Sequence, residues 1–112
     1  MKESLDRLAR FIEAQRGEYL RALPDKVAQA ETLWTQKSPE ALESLQRLAH
    51  TVYGTAGTYK FAEVGEAARV LEEAVKALRE GPASPERTSQ VDAAVRAFRA
   101  SLPPAPPQES SG

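Results

Sequence analysis

Leu48-Ala49-His50-Thr51-Val52-Tyr53-Gly54-Thr55-Ala56-Gly57-Thr58-Tyr59-Lys60-Phe61 is the stretch from which the fold is read. It holds the only histidine of the chain and two glycines inside a helical pattern. Leu42, Leu45, Ala49, Val52, Ala56 and Tyr59 recur at spacings of three and four, the helical period. At about 100° per residue these side chains fall within roughly 60° of one line, a buried stripe. His50 projects about 140° away from Leu45, so the pattern predicts that it faces water. Gly54 and Gly57 fall on the same side as His50, one and two turns further on. Glycine in a helix interior costs about 0.8–1 kcal/mol relative to alanine. One reason for it here is a large partner that must reach the imidazole closely, where a Cβ would obstruct it. The other reading is that the glycines let a neighbouring helix pack closely, or mark a fraying helix end.

The run His50-Thr51-Val52-Tyr53-Gly54-Thr55-Ala56-Gly57-Thr58-Tyr59-Lys60-Phe61 resembles the phosphorelay core of histidine phosphotransfer (HPt) domains. Their usual pattern is a histidine, two residues, Lys-Gly, small residues, another glycine and an aromatic. Ala67-Ala68-Arg69-Val70-Leu71-Glu72 is similar to the family's next helix. The resemblance is best over about residues 40–78 and extends over residues 4–101. It implies a phosphorelay role, with His50 taking the phosphoryl group and Glu72, Tyr53, Gly54 and Gly57 supporting it. Gln46, Tyr53 and Lys60 are the expected partner contacts.

Glu72 lies 22 residues after His50. The family commonly places a glutamine or glutamate there, and the phosphotransfer domains of chemotaxis-type histidine kinases have glutamate. By that resemblance Glu72 accepts a hydrogen bond from Nδ1 and leaves Nε2 as the nucleophile. The alternative is a surface glutamate paired with Lys76. The chain departs from the family three residues after the histidine, where lysine is usual and Tyr53 stands here. Tyrosine can donate one hydrogen bond but brings no positive charge. Lys60 and Arg47 are nearby cations in the sequence, but neither occupies the matching position.

The partners implied are response-regulator receiver domains, which bring their own aspartate and Mg²⁺, or a sensor histidine kinase. No cofactor or metal of the chain's own is expected. There is no glycine-rich phosphate loop and no Asp/Asn magnesium set, so the domain is expected to carry phosphate and not to be a kinase unless part of a larger one. A competing reading is an HPt-shaped helical module that docks such partners without carrying phosphate; the missing lysine favours it.

With 112 residues the chain is read as one domain. Lys plus Arg is 15 and Asp plus Glu is 16, a net charge of −1. That balance argues against nucleic acid or an anionic membrane as the main partner. There are no cysteines, so disulfides, zinc–thiolate sites and thiol catalysis are excluded. A single histidine excludes a histidine-rich metal site. No apolar run approaches the roughly 20 residues needed to cross a bilayer. Met1-Lys2-Glu3-Ser4 lacks the apolar core of a signal peptide, and a cytoplasmic monomer is expected.

Outside the central helix, predicted over about 39–57, the pattern is also helical. Ser4 is a reasonable N-cap, and Leu5, Leu8, Ala9 and Ile12 make an apolar stripe flanked by Phe11. Pro24 disfavours a helix interior and suits a first turn. Two helices, about 4–22 and 24–36, are therefore predicted, with a single kinked helix as the alternative. Trp34 reads as a core anchor. Ser38-Pro39-Glu40 is a capped helix start. Thr58-Tyr59-Lys60 is the expected corner, with Phe61 closing the bundle end. A helix over about 61–80 turns inward Val64, Ala67, Ala68, Leu71, Val75 and Leu78. Gly81-Pro82-Ala83-Ser84-Pro85 turns the chain. The last helix, about 85–101, buries Val91, Ala94, Val95 and Phe98. The fold class predicted is all-α: an antiparallel up-down four-helix bundle with an additional N-terminal helix, spanning residues 1–101. Residues 102–112 read as a proline-rich disordered tail or linker.

Overall fold

The structure, a computed structural model, describes residues 2–104. Four helices follow in order: α1 (Lys2–Gln36), α2 (Pro39–Thr58), α3 (Ala62–Glu80) and α4 (Pro85–Ala100). They are joined by connections of only two, three and four residues. Connections this short make consecutive helices antiparallel neighbours. α2 packs on α1 and α3, and α4 closes the ring against α3 and α1. No strand occurs among the described residues.

Each helix contributes one apolar stripe to the common core. Leu23, Val27, Ala30 and Trp34 come from α1, and Leu45, Ala49, Val52 and Ala56 from α2. Val64, Ala68, Leu71 and Val75 come from α3, and Val91, Ala94, Val95 and Phe98 from α4. Among the described residues none that is polar or charged is buried, so the bundle is held by hydrocarbon packing. Trp34 is the anchor its position suggested: it is buried, and its Nε1 donates to Asp92 Oδ1 at 3.2 Å.

The serine caps form. Ser38 Oγ accepts from Ala41 N at 3.1 Å and Ser84 Oγ accepts from Arg87 N at 3.1 Å, each with proline following at the first helical position. Tyr59 and Lys60 make the corner after α2, with Lys60 in the left-handed region at φ 64°. Phe61 is buried at that end, its ring stacked on Tyr19.

α1 corrects the predicted break. It runs unbroken for 35 residues with Pro24 inside it, so the additional N-terminal helix is the front half of α1 rather than a separate element. Proline costs about 3 kcal/mol in a helix interior. Leu23 and Val27, fully buried on either side of it along the same stripe, each return about 1.5–3 kcal/mol. Pro24 itself is exposed, so water can serve the Leu20 carbonyl that it leaves without a donor.

The front half of α1 extends past the bundle. Leu5, Leu8, Phe11 and Ile12 remain 50–66% exposed, so the apolar stripe there is left uncovered among the described residues. Packing begins near Arg16, whose Nε donates to Tyr59 O at 3.0 Å. At the other terminus Leu102 is half-buried against the core, so the first residue assigned to the tail belongs to the bundle. Of that tail, residues 105–112 lie outside the described residues.

Leu8→Ala is therefore expected to change the unfolding free energy by less than about 0.5 kcal/mol. Leu23→Ala, on the same stripe but inside the bundle, is expected to cost about 2–5 kcal/mol. Pro24→Ala is expected to stabilise by about 1–3 kcal/mol. Urea denaturation followed by circular dichroism reads all three as shifts of midpoint.

Candidate functional site

α2 separates its faces cleanly. Ala41, Leu45, Ala49, Val52 and Ala56 are buried, and His50 stands on the other side with its side chain 70% exposed. α3 runs antiparallel alongside and brings Glu72 opposite. His50 Nδ1 and Glu72 Oε2 are 2.8 Å apart. An ionised carboxylate can only accept, so Nδ1–H is the donor and Nε2 of the neutral ring keeps its lone pair toward solvent. Glu72 is only 23% exposed, which restricts its rotamers and holds the acceptor in place. The geometry joins Glu72 to His50, not to Lys76. The other acids of that face are engaged separately: Arg69 binds both Glu66 and Glu73.

The helices come this close because their shared seam is lined with small residues. A Cβ placed on Gly65 of α3 would lie 3.6 Å from Ala56 Cβ and 3.9 Å from Tyr53 O. Gly65 is thus the glycine that lies against α2, at ordinary contact distance, and nothing singled it out in the sequence. Its position one residue after Val64 and three before Ala68, both on the inward stripe, is the signal that could have found it.

Gly54 and Gly57 do something else. A Cβ at either would meet nothing within 4 Å. They make no helix contact, and α2 continues through them to Thr58, so neither close packing nor fraying explains them. They leave a bare strip of backbone beyond His50, bordered by Tyr53 at 45% exposure. The strip is held firm from behind. Tyr19 Oη is 2.7 Å from Thr55 Oγ1, and the Tyr19 ring lies 5.0 Å from that of Tyr59. Burial pushes the Tyr19 phenol above its ordinary pKa, against the opposing effect of the Thr55 hydrogen bond. The Arg16 guanidinium covers Phe61 at 4.3 Å from the ring centroid.

Before His50 lies a cleft of about 340 Å³ lined by Glu43, Gln46, Arg47, His50, Glu72 and Arg79. Gln46, expected as a partner contact, thus lines one cleft with His50. Glu43 and Arg79 join it without having been expected. Lys60 does not: it sits in the α2–α3 turn, ten residues after His50, about 15 Å along the axis. A larger hollow of about 590 Å³ beside Trp34, Ser84 and Asp92 contains none of the residues around His50. Among the described residues no group of three or more His, Cys, Asp or Glu side chains could hold a metal ion, and no helix is long and apolar enough to cross a membrane.

The chain is thus an antiparallel four-helix bundle that displays one histidine, hydrogen-bonded to a carboxylate from the adjacent helix. Residues 15–101 match the model of the Hpt domain family, and the chain belongs to that family. The match starts where α1 enters the bundle and ends where α4 does. Members of this family act in two-component phosphorelays as carriers rather than catalysts, engaging receiver domains and kinases. No curated protein and no solved structure matches the chain.

Gly54→Ala and Gly57→Ala are each expected to raise the unfolding free energy by about 0.5–1 kcal/mol, because the new methyl improves helix propensity and meets no neighbour. Thermal denaturation of the two variants checks this.

Proposed function

We propose that this Hpt domain takes a phosphoryl group on Nε2 of His50 and exchanges it with the aspartate of a response-regulator receiver domain. The observation that carries the reading is the exposed imidazole whose Nδ1 is held by Glu72, beside backbone cleared of side chains at Gly54 and Gly57. Nε2 attacks phosphorus with its lone pair. The P–O bond to the partner's aspartate breaks, and the aspartate leaves with that electron pair as a carboxylate. The ring becomes an N-phosphorylated imidazolium, and Glu72 stabilises its charge through the Nδ1–H bond. Transfer onward is the reverse.

Gly54, Gly57, Tyr53 and Gln46 form the floor on which the partner sits, with Lys60 as a contact at the far end. The receiver supplies its own magnesium; this domain contributes no cofactor. A sensor histidine kinase is the source of phosphate, a chemotaxis-type kinase being the subclass that Glu72 favours. Kinase activity would belong to this chain only as part of such a larger protein. The setting proposed is cytoplasmic, with the domain acting as a monomer.

Tyr53 supports a second reading, in which the domain docks a receiver but carries no phosphate. Incubation with a phosphorylated receiver, or with a kinase and ATP, separates the two. The carrier reading expects an acid-labile, base-stable label that His50→Gln abolishes. Tyr53→Lys is expected to change the transfer rate and leave the circular dichroism spectrum unaltered. A receiver that binds wild type and His50→Gln equally, with no label on either, would establish the docking module instead.

A further inference from the structure

The phosphoryl group proposed for Nε2 is dianionic near neutral pH, and the chain places a phenol where positive charge would otherwise stand three residues after the histidine. Two guanidiniums line the cleft on the opposite side of His50, toward the start of α2. Arg79, in the last turn of α3, reaches across to α2 and donates from Nη1 to Gln46 Oε1 at 2.7 Å. Gln46 precedes His50 by one turn. As a neutral acceptor it fixes the guanidinium without cancelling its charge. Glu43 Oε2 lies 3.8 Å from Arg79 Nη2, and Glu43 Oε1 lies 3.7 Å from Arg47 Nη2. Both separations exceed the 2.7–3.2 Å of a formed N–H···O bond. One carboxylate thus loosely bridges two cations, and most of their N–H donors are uncommitted. The charge of Glu72 is already engaged with His50 Nδ1–H. Of the other cations, Arg69 is held between Glu66 and Glu73, Lys60 lies at the bundle end, and Lys76 is not among the residues that line the cleft.

We infer that Arg79, held by Gln46 and assisted by Arg47, binds the phosphoryl oxygens on His50 and supplies from the α3 side the positive charge that position 53 lacks. Guanidinium is suited to this, because its planar fork can meet two phosphoryl oxygens at once. Arg79 is 35% exposed at the side chain and leans over the cleft, whereas Arg47 is 74% exposed and more freely solvated. Arg79 is therefore the principal contact and Arg47 the auxiliary one. The inference rests on the carrier reading above.

A small-molecule donor tests it on the full chain without any partner. With phosphoramidate, Nε2 attacks phosphorus, the P–N bond breaks, and ammonia leaves with the bonding pair. The product is phosphorylated imidazolium. The initial rate and the pH titration of the phosphoryl ³¹P resonance are the two readouts. Arg79→Gln is expected to slow labelling about three- to tenfold, the scale of one charge-assisted contact. It is also expected to raise the pH at which the phosphoryl dianion takes up a proton, which a purely structural role would not do. Arg47→Gln should show the same changes with smaller size. Arg79→Lys should fall between wild type and Arg79→Gln, keeping the charge but losing the fork, and Tyr53→Lys should raise the rate in the Arg79→Gln background.

A rate within about twofold of wild type and an unmoved phosphoryl titration in Arg79→Gln, with His50→Gln still abolishing the label, would overturn this inference and leave the carrier reading intact. Absence of label on wild-type His50 would overturn both.

Discussion

The close approach of α2 and α3 governs the rest of the molecule. Ala49, Val52 and Ala56 of α2 share one core with Val64 and Ala68 of α3, and a Cβ on Gly65 would stand in ordinary contact, 3.6 Å from Ala56 Cβ. Small side chains let helices pack closely. Across this seam Glu72 on α3 reaches the imidazole on α2 with a normal hydrogen bond. A bulkier seam would push the helices apart and leave Nδ1 to water, with either tautomer available. The functional orientation of His50 is thus a by-product of how the core is filled, even though His50 itself is outside the core.

This separation of packing from chemistry explains what could be read in the sequence. The burial of α2, α3 and α4 follows from apolar periodicity alone, and Ser38-Pro39 and Ser84-Pro85 mark their helix starts chemically. The exposure of His50 follows from the same arithmetic, being opposite Leu45 on the wheel. Position 72 was legible only through family resemblance. Periodicity puts it beside the inward stripe, but no local rule says which α2 residue it meets.

Other features were not legible because they depend on distant partners. Pro24 carries a strong local signal for a break, and tertiary burial of Leu23 and Val27 overrides it. The stripe at Leu5, Leu8 and Ile12 has the right period for burial, but the other helices are too short to meet it. Length mismatch between elements is invisible to a window of fifteen residues. Periodicity puts Arg79 off the inward stripe of α3, among its other charges. Its meeting with Gln46 and Glu43 depends on the antiparallel register of two helices, and the sequence does not set that register residue by residue. Gly54 and Gly57 were legible as an anomaly, and the open space around them removes the close-packing explanation for it.

The unbroken α1 also has a geometric consequence. At 1.5 Å per residue its 35 residues measure about 52 Å, against about 30 Å for the 20 residues of α2. The overhang continues the same helix across the bundle boundary, so Leu5 and Leu8 outside it share one helical phase with Leu23 and Val27 in the core. The azimuth of His50 relative to the tip of the overhang is fixed by helical phase: one residue inserted between them along α1 would rotate the tip by about 100°, and seven would nearly restore it.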